Sequence, residues 1–184
     1  LSHPAALGLM KEVFKEFTPW FRSRQIHIGA DEYSGHPADY IRYVNALDDY
    51  LAKLGKTTRV WGSLTEMNLS GSKMNDRIAV DAWNTKWYSA GRSIRDGFYT
   101  SNAHEGNYVV PFGKFYFNPK GLNNRYIYNK WTPENIEYYH LTGQRIDPPD
   151  KPKPKAPKLR GAKFAVWNDK AALGVKYSEG YVHS

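Results

Sequence analysis

Asp31 and Glu32 stand side by side at the end of a short apolar alternation, in the stretch QIHIGADEYSGH at residues 25–36. A strand that only fills a core has no use for two neighbouring carboxylates at its end. A sugar-cleaving site does, because glycoside hydrolysis runs on carboxyl groups. The plain alternative is a solvated strand end, with Asp31 capping the helix that follows. Strand parity sharpens the choice. On an extended strand Ile26, Ile28 and Ala30 share one face, and His27, Gly29 and Asp31 share the other. Glu32 then has the wrong parity, unless the strand ends near Asp31 and the chain turns over, which YSGHP permits. His27 reads as a hydrogen-bonded interior histidine. With His36 and the acids it fits no familiar metal-ligand spacing, so no metal or cofactor is expected. Further along, Trp61, Trp83 and the pair Trp167 and Asp169 also close short apolar runs.

Helices and strands must alternate to place these residues. HPAALGLMKEVFKEFTPWF predicts a helix, with Leu7, Met10, Val13, Phe14 and Phe17 at helical spacing between Pro4 and Pro19. RQIHIGA predicts a strand. HPADYIRYVNALDDYLAKLGK predicts a second helix, with Tyr40, Tyr43, Val44, Leu47, Tyr50, Leu51 and Leu54 on one face and Gly55 as its stop. TTRVWGS, RIAVDAW, GFYTSN and AKFAVWND predict four more strands, and a short helix is expected around WYSAGRSIRDG. TPENIEYYHL predicts a helix capped by Thr132, with Pro133 at its first position. A Gly- and Asn-rich stretch covers about residues 103–131, and a Lys/Pro-rich loop covers about 147–161.

Alternating helices and strands imply an α/β fold with parallel strands. No glycine-rich dinucleotide fingerprint follows any strand, so a doubly wound sheet has no motif to support it. In a (β/α)8 TIM barrel, by contrast, all the strand ends named above fall on one rim, where sites form. A closed barrel needs eight strands, and five are predicted. The chain is therefore expected to hold the later part of a barrel, as one partial domain over 1–184, with the missing N-terminal half as its partner.

Composition narrows the partners. Aromatic residues make up 15% of the 184 residues, with 6 Trp and 14 Tyr, and flat rings with a polar handle suit both a core and the C–H face of a sugar. The net charge of +8 would suit nucleic acid, but six of the cations lie in KPKPKAPKLRGAK at 151–163, which contains no acid. Outside that segment the balance is only +2, so the charge reads as one solvated loop and no nucleic-acid partner is expected. Cysteine is absent, which excludes disulfides and thiolate chemistry. LSHPAALGLMKEVF lacks the basic start and apolar run of a signal peptide, and no apolar run is long enough to span a bilayer.

At HIGADE, residues 27–32, the chain resembles glycoside hydrolase family 20, the β-N-acetylhexosaminidases and lacto-N-biosidases, whose signature His-x-Gly-Gly/Ala-Asp-Glu closes the fourth barrel strand. RVWGS, AVDAW, NYVVP and FAVWND follow in the family's order. The resemblance implies a strand 4 to strand 8 portion of the barrel. It implies substrate-binding roles for Trp61, Trp83, Trp167 and Asp169, and places Tyr108 on the acetamido group. An Arg that the family carries on its first strand has no counterpart here. The implied reaction is substrate-assisted and retaining. Adjacent acids do not easily flank a glycosidic bond, which suggests the substrate-assisted exception, in which the substrate's own 2-acetamido oxygen would act as nucleophile. Glu32 would be the general acid and base, its pKa raised by burial among apolar rings, and Asp31 would orient the acetamido group. The implied substrate is a glycan with terminal β-linked N-acetylhexosamine, met in a secreted or cell-surface setting. Two alternatives stand beside this: a lacto-N-biosidase that releases a disaccharide, and a catalytically silent carbohydrate-binding fragment.

Overall fold

The computed structural model describes residues 3–62, 68–69, 71–84, 88–103, 124–134, 138–139, 145–146 and 157–165. Helix α1 (Pro4–Phe17) starts on a proline, and the His3 ring accepts a hydrogen bond from the Ala5 amide at 3.2 Å. A 3-10 turn (Thr18–Trp20) ends it and leads to strand β1 (Gln25–His27). Helix α2 (Pro37–Lys53) again has proline at its first position. It ends as its sequence demands: Gly55 takes φ 72°, and the Gly55 and Lys56 amides return to the carbonyls of Ala52 and Leu51. Strand β2 (Thr57–Trp61) follows.

A short antiparallel pair, β3 (Asn68–Leu69) and β4 (Ser72–Lys73), turns through Gly71. Strand β5 (Ala79–Ala82), helix α3 (Ala90–Arg95) and strand β6 (Tyr99–Asn102) complete the middle of the chain. Helix α4 (Asn124–Asn129), a second antiparallel pair, β7 (Tyr138–Tyr139) and β8 (Arg145–Ile146), and strand β9 (Leu159–Ala162) follow.

The main sheet has the order β1-β2-β5-β6-β9, and every neighbouring pair is parallel. Strand order equals chain order throughout. A doubly wound sheet reverses its order at a switch point, whereas a barrel winds in one sense. The core lies on the outer face, where Tyr40, Ile41 and Val44 of α2 meet Val60, Val80, Met74, Ile78, Tyr88 and Phe98. Asn45, Asp48 and Asp49 on α2 bind the segment after β4: Asn45 holds the Lys73 carbonyl and the Asn75 amide, and Arg77 pairs with Asp48 at 2.7 Å and also with Asp49. Helix α1 packs on α2 through a half-buried face of Leu7, Met10, Val13 and Phe14, while Phe17, Trp20 and Phe21 are exposed.

Four expected strands and three expected helices appear close to where the spacing put them. Two elements differ. The helix expected from Thr132 is not formed: residues 133–134 turn, Tyr138–Tyr139 pairs as a strand, and the helix lies earlier, at Asn124–Asn129. The Pro133 carbonyl is held by the Asn102 side chain at 3.1 Å, a tertiary contact that local start signals cannot report. The last strand was expected over 162–169 but occupies Leu159–Ala162, so the Lys/Pro segment ends in a strand rather than a loop. Its cations are placed by Tyr99, whose ring lies 4.9 Å from Lys158 Nζ and 4.2 Å from the Arg160 guanidinium carbon. Gly161, at φ 105°, absorbs the register shift between Thr100 and Asn102.

Burial ranks the core. In the full-length protein Ile41→Ala is expected to lower the unfolding free energy by about 2–5 kcal/mol. Leu9→Ala, at a side chain 67% exposed, should change it by less than about 0.5 kcal/mol. Urea denaturation of the two variants checks the difference.

Candidate active site

Asp81 sits at the centre of the sheet's inner face and is fully buried. Its carboxylate accepts from Arg59 Nε at 2.9 and 3.0 Å and lies 2.8 Å from Arg59 Nη2. Lys163 Nζ, just past β9, donates to it at 2.7 Å, and His27 Nε2 approaches to 3.4 Å without reaching hydrogen-bond geometry. Arg59 also donates to Gln25 Oε1 at 2.7 Å and to the Ser101 hydroxyl. One carboxylate thus ties together side chains from or beside all five strands. Burial alone would raise the Asp81 pKa. The contacts of His27, Arg59 and Lys163 outweigh it and hold the carboxyl well below the usual carboxylate range. Asp81 is a fixed charge, not a proton donor.

Above this layer β1 ends at His27 and the backbone turns sharply. Gly29 (φ 75°), Ala30 (φ 69°) and Glu32 (φ 54°) are all left-handed. The strand therefore ends earlier than Asp31, and strand parity does not extend to Glu32. The predicted parity holds up to the turn: Ile28 and Ala30 pack on the helix-side core, and His27 faces inward. His27 is the hydrogen-bonded interior histidine expected, with Nδ1 accepting from the Gly29 amide at 3.0 Å. The turn is joined to the next strand by the Trp61 amide, which donates to the Gly29 carbonyl at 3.0 Å, and to α2 by the Tyr40 hydroxyl, which donates to the Ala30 carbonyl at 2.8 Å.

Of the predicted site residues, Asp31 and Glu32 lie on this turn and both are exposed. Burial of Glu32 among apolar rings is not supplied by the described residues. Trp61 closes β2, half-buried, with its ring 4.8 Å from the His27 ring. Trp83 follows β5, buried, and its indole N–H donates to the Gly62 carbonyl at 2.8 Å. Because the strands are parallel, all four lie at the same, C-terminal, end of the sheet. Tyr108, Trp167 and Asp169 lie outside the described residues. The charged layer of Arg59, Asp81 and Lys163 was missed from sequence. Its one signal was polar residues within otherwise apolar-flanked strands: Gln25 and His27 about Ile26, Arg59 before Val60, and Asp81 between Val80 and Ala82.

No family model matches the chain. It is 26% identical over 199 aligned positions to a lacto-N-biosidase of Bifidobacterium bifidum, covering 92% of this chain and 16% of that protein. Among solved structures it is similar to Dispersin B, with a TM-score of 0.72 and 18% identity over 98% of this chain and 56% of the other. The β-N-acetylhexosaminidase from Bacteroides fragilis gives 0.59 and 18% over 96% and 36%. The family 20 β-N-acetylhexosaminidase from Streptomyces coelicolor A3(2) gives 0.60 and 18% over 90% and 32%. The chain thus spans about one sixth of the curated relative and little more than half of the first of these structures.

The Asp81 layer makes a stability prediction. A depressed carboxyl pKa stabilises the fold fully above the unfolded value of about 4, and that contribution is lost as pH falls below it. In the full-length protein Asp81→Asn is expected to cost about 3 kcal/mol or more at neutral pH, because Arg59 loses its buried counter-charge. The variant's unfolding free energy should also vary less than the parent's between pH 5 and pH 3, roughly the range over which an unpaired carboxylate titrates. Urea denaturation at several pH values reads both effects. In sequence and in fold the chain resembles the glycoside hydrolases of family 20, and what it carries is a five-strand portion of their (β/α)8 barrel.

Proposed function

We propose that this chain forms the strand 4 to strand 8 part of a family 20 barrel, in a glycosidase that removes terminal β-linked N-acetylhexosamine with retention. The observation that carries the reading is the left-handed turn that sets Asp31 and Glu32 at the C-terminal rim, beside Trp61. Adjacent acids do not easily act as a flanking acid and nucleophile pair, and they suit a substrate that brings its own nucleophile.

In this mechanism Glu32 protonates the leaving oxygen and later takes a proton from the attacking water. Asp31 accepts the acetamido N–H, turns the carbonyl oxygen toward the anomeric carbon and steadies the oxazolinium cation that forms. Tyr108 donates to the acetamido oxygen. Trp61, Trp83, Trp167 and Asp169 line the pocket, with the Trp83 N–H held by the Gly62 carbonyl. Burial of Glu32 and the grip on the distal hydroxyls come from the first three strands of the barrel. The likeness to a lacto-N-biosidase favours a second version, in which the same machinery releases a disaccharide. Secretion or surface display belongs to the same proposal, since that location exposes the enzyme to conjugated glycans.

In the full-length protein Glu32→Gln is expected to lower turnover of a substrate with a poor leaving group by about 10²–10⁴-fold, with a milder loss on an activated aryl glycoside. Asp31→Asn should lower both by about 10²–10³-fold. Unchanged rates in both variants would falsify the reading, as would indifference to a thiazoline mimic of the oxazolinium. Chromatography of the released sugar, monosaccharide or disaccharide, separates the two versions.

A further inference from the structure

We propose that Tyr40 and His27 are positioning residues that hold the Asp31–Glu32 turn in its reactive shape from opposite sides, through the Ala30 carbonyl and the Gly29 amide. This inference rests on the reading of Asp31 and Glu32 as the reacting acids.

The need for such props follows from the backbone. A residue other than glycine in the left-handed region costs on the order of 1–3 kcal/mol and persists only where its surroundings enforce it. Here Ala30 and Glu32 both adopt it, directly after a left-handed Gly29. Among the described residues no side chain packs over the two carboxyl groups, so within this chain packing does not set their direction. The backbone beneath them must do so.

Three hydrogen bonds grip that backbone. One is the ladder bond from the Trp61 amide to the Gly29 carbonyl. The other two come from side chains, and each of those is itself fixed. Tyr40 is 1% exposed and its ring stacks on Tyr33 at 5.8 Å, so its hydroxyl reaches the Ala30 carbonyl from a rigid base. The Tyr33 ring in turn leaves no room for a side chain at Gly35: a Cβ there would lie 2.9 Å from Tyr33 Cε2. On the inner side, His27 Nδ1 accepts from the Gly29 amide, so that nitrogen carries no proton and Nε2–H faces Asp81. The His27 ring is wedged between Asp81, 3.4 Å away, and the Trp61 ring, 4.8 Å away. The buried charge layer and the helix-side core therefore meet at this turn, each through one hydrogen bond. Release of either lets the turn leave the left-handed region and moves Glu32 off the leaving oxygen and Asp31 off the acetamido group.

The test uses the full-length protein and both substrate classes. Tyr40→Phe removes one hydroxyl and keeps the ring and its stack. It is expected to lower kcat about tenfold with KM within about twofold, since a small misplacement of a catalytic group is expensive in rate. Its thermal midpoint should stay near the parent's. His27→Leu removes the acceptor for the Gly29 amide and should show the same split between kcat and KM. His27→Asn places an amide oxygen where Nδ1 stood and should recover most of that loss. Parental kcat in Tyr40→Phe and His27→Leu, with Glu32→Gln inactive, would overturn the positioning role and leave the glycosidase reading standing. A kcat for His27→Asn no higher than for His27→Leu would overturn the part assigned to Nδ1. Parental rates in Glu32→Gln and Asp31→Asn would sink both. If His27→Leu does not fold, Tyr40→Phe decides alone.

Discussion

A single ionised carboxylate governs the inner face of this sheet. Taking Asp81 out of water is costly, and only cations and donors drawn from neighbouring strands offset that cost. Arg59 spans from β2 to both carboxylate oxygens and continues to Gln25 and Ser101, so its planar fork reads three strands at once. Apolar packing on the other face already opposes a one-residue slip, since it would carry Val60 or Val80 out of the core. The charge layer adds to that, because the same slip in β2 or β5 would carry Arg59 or Asp81 to the wrong face.

The turn above that layer gains from the arrangement. Parallel strands offer their C-terminal ends as a common rim, and a side chain there is only as well placed as the backbone that holds it. At the end of β1 that backbone leaves the extended region after Ile28 and stays left-handed at three of the next four residues. The strain is local, and its compensation lies in Tyr40 and His27, ten and two residues away from the positions they hold.

Much of this was readable from spacing. The apolar face of α2, the stop at Gly55 and the rim positions of Trp61 and Trp83 follow from periods of 3.6 and 2, which local sequence carries. The turn at Asp31 and Glu32 was legible as a break in parity, although its left-handed backbone was not. The ion layer was hidden because its partners are distant in sequence: Arg59 and Asp81 are 22 residues apart, and Asp81 and Lys163 are 82 apart. Strand β9 was hidden for a different reason. Lys158 and Arg160 look like loop residues until Tyr99 supplies a ring for their stems and charges to lie on. At Thr132 and Pro133 the local signals for a helix were sound, and tertiary contact overrode them.

The separation of Lys163 from Asp81 also sets an order of events during synthesis. A nascent chain in which β1, β2, β5 and β6 have left the ribosome already holds the Arg59–Asp81 pair, but it lacks the second cation and β9. Contacts of such long sequence separation close late. Until residue 163 emerges, water stands in for the Lys163 ammonium at the interior anion, and the docking of β9 replaces it.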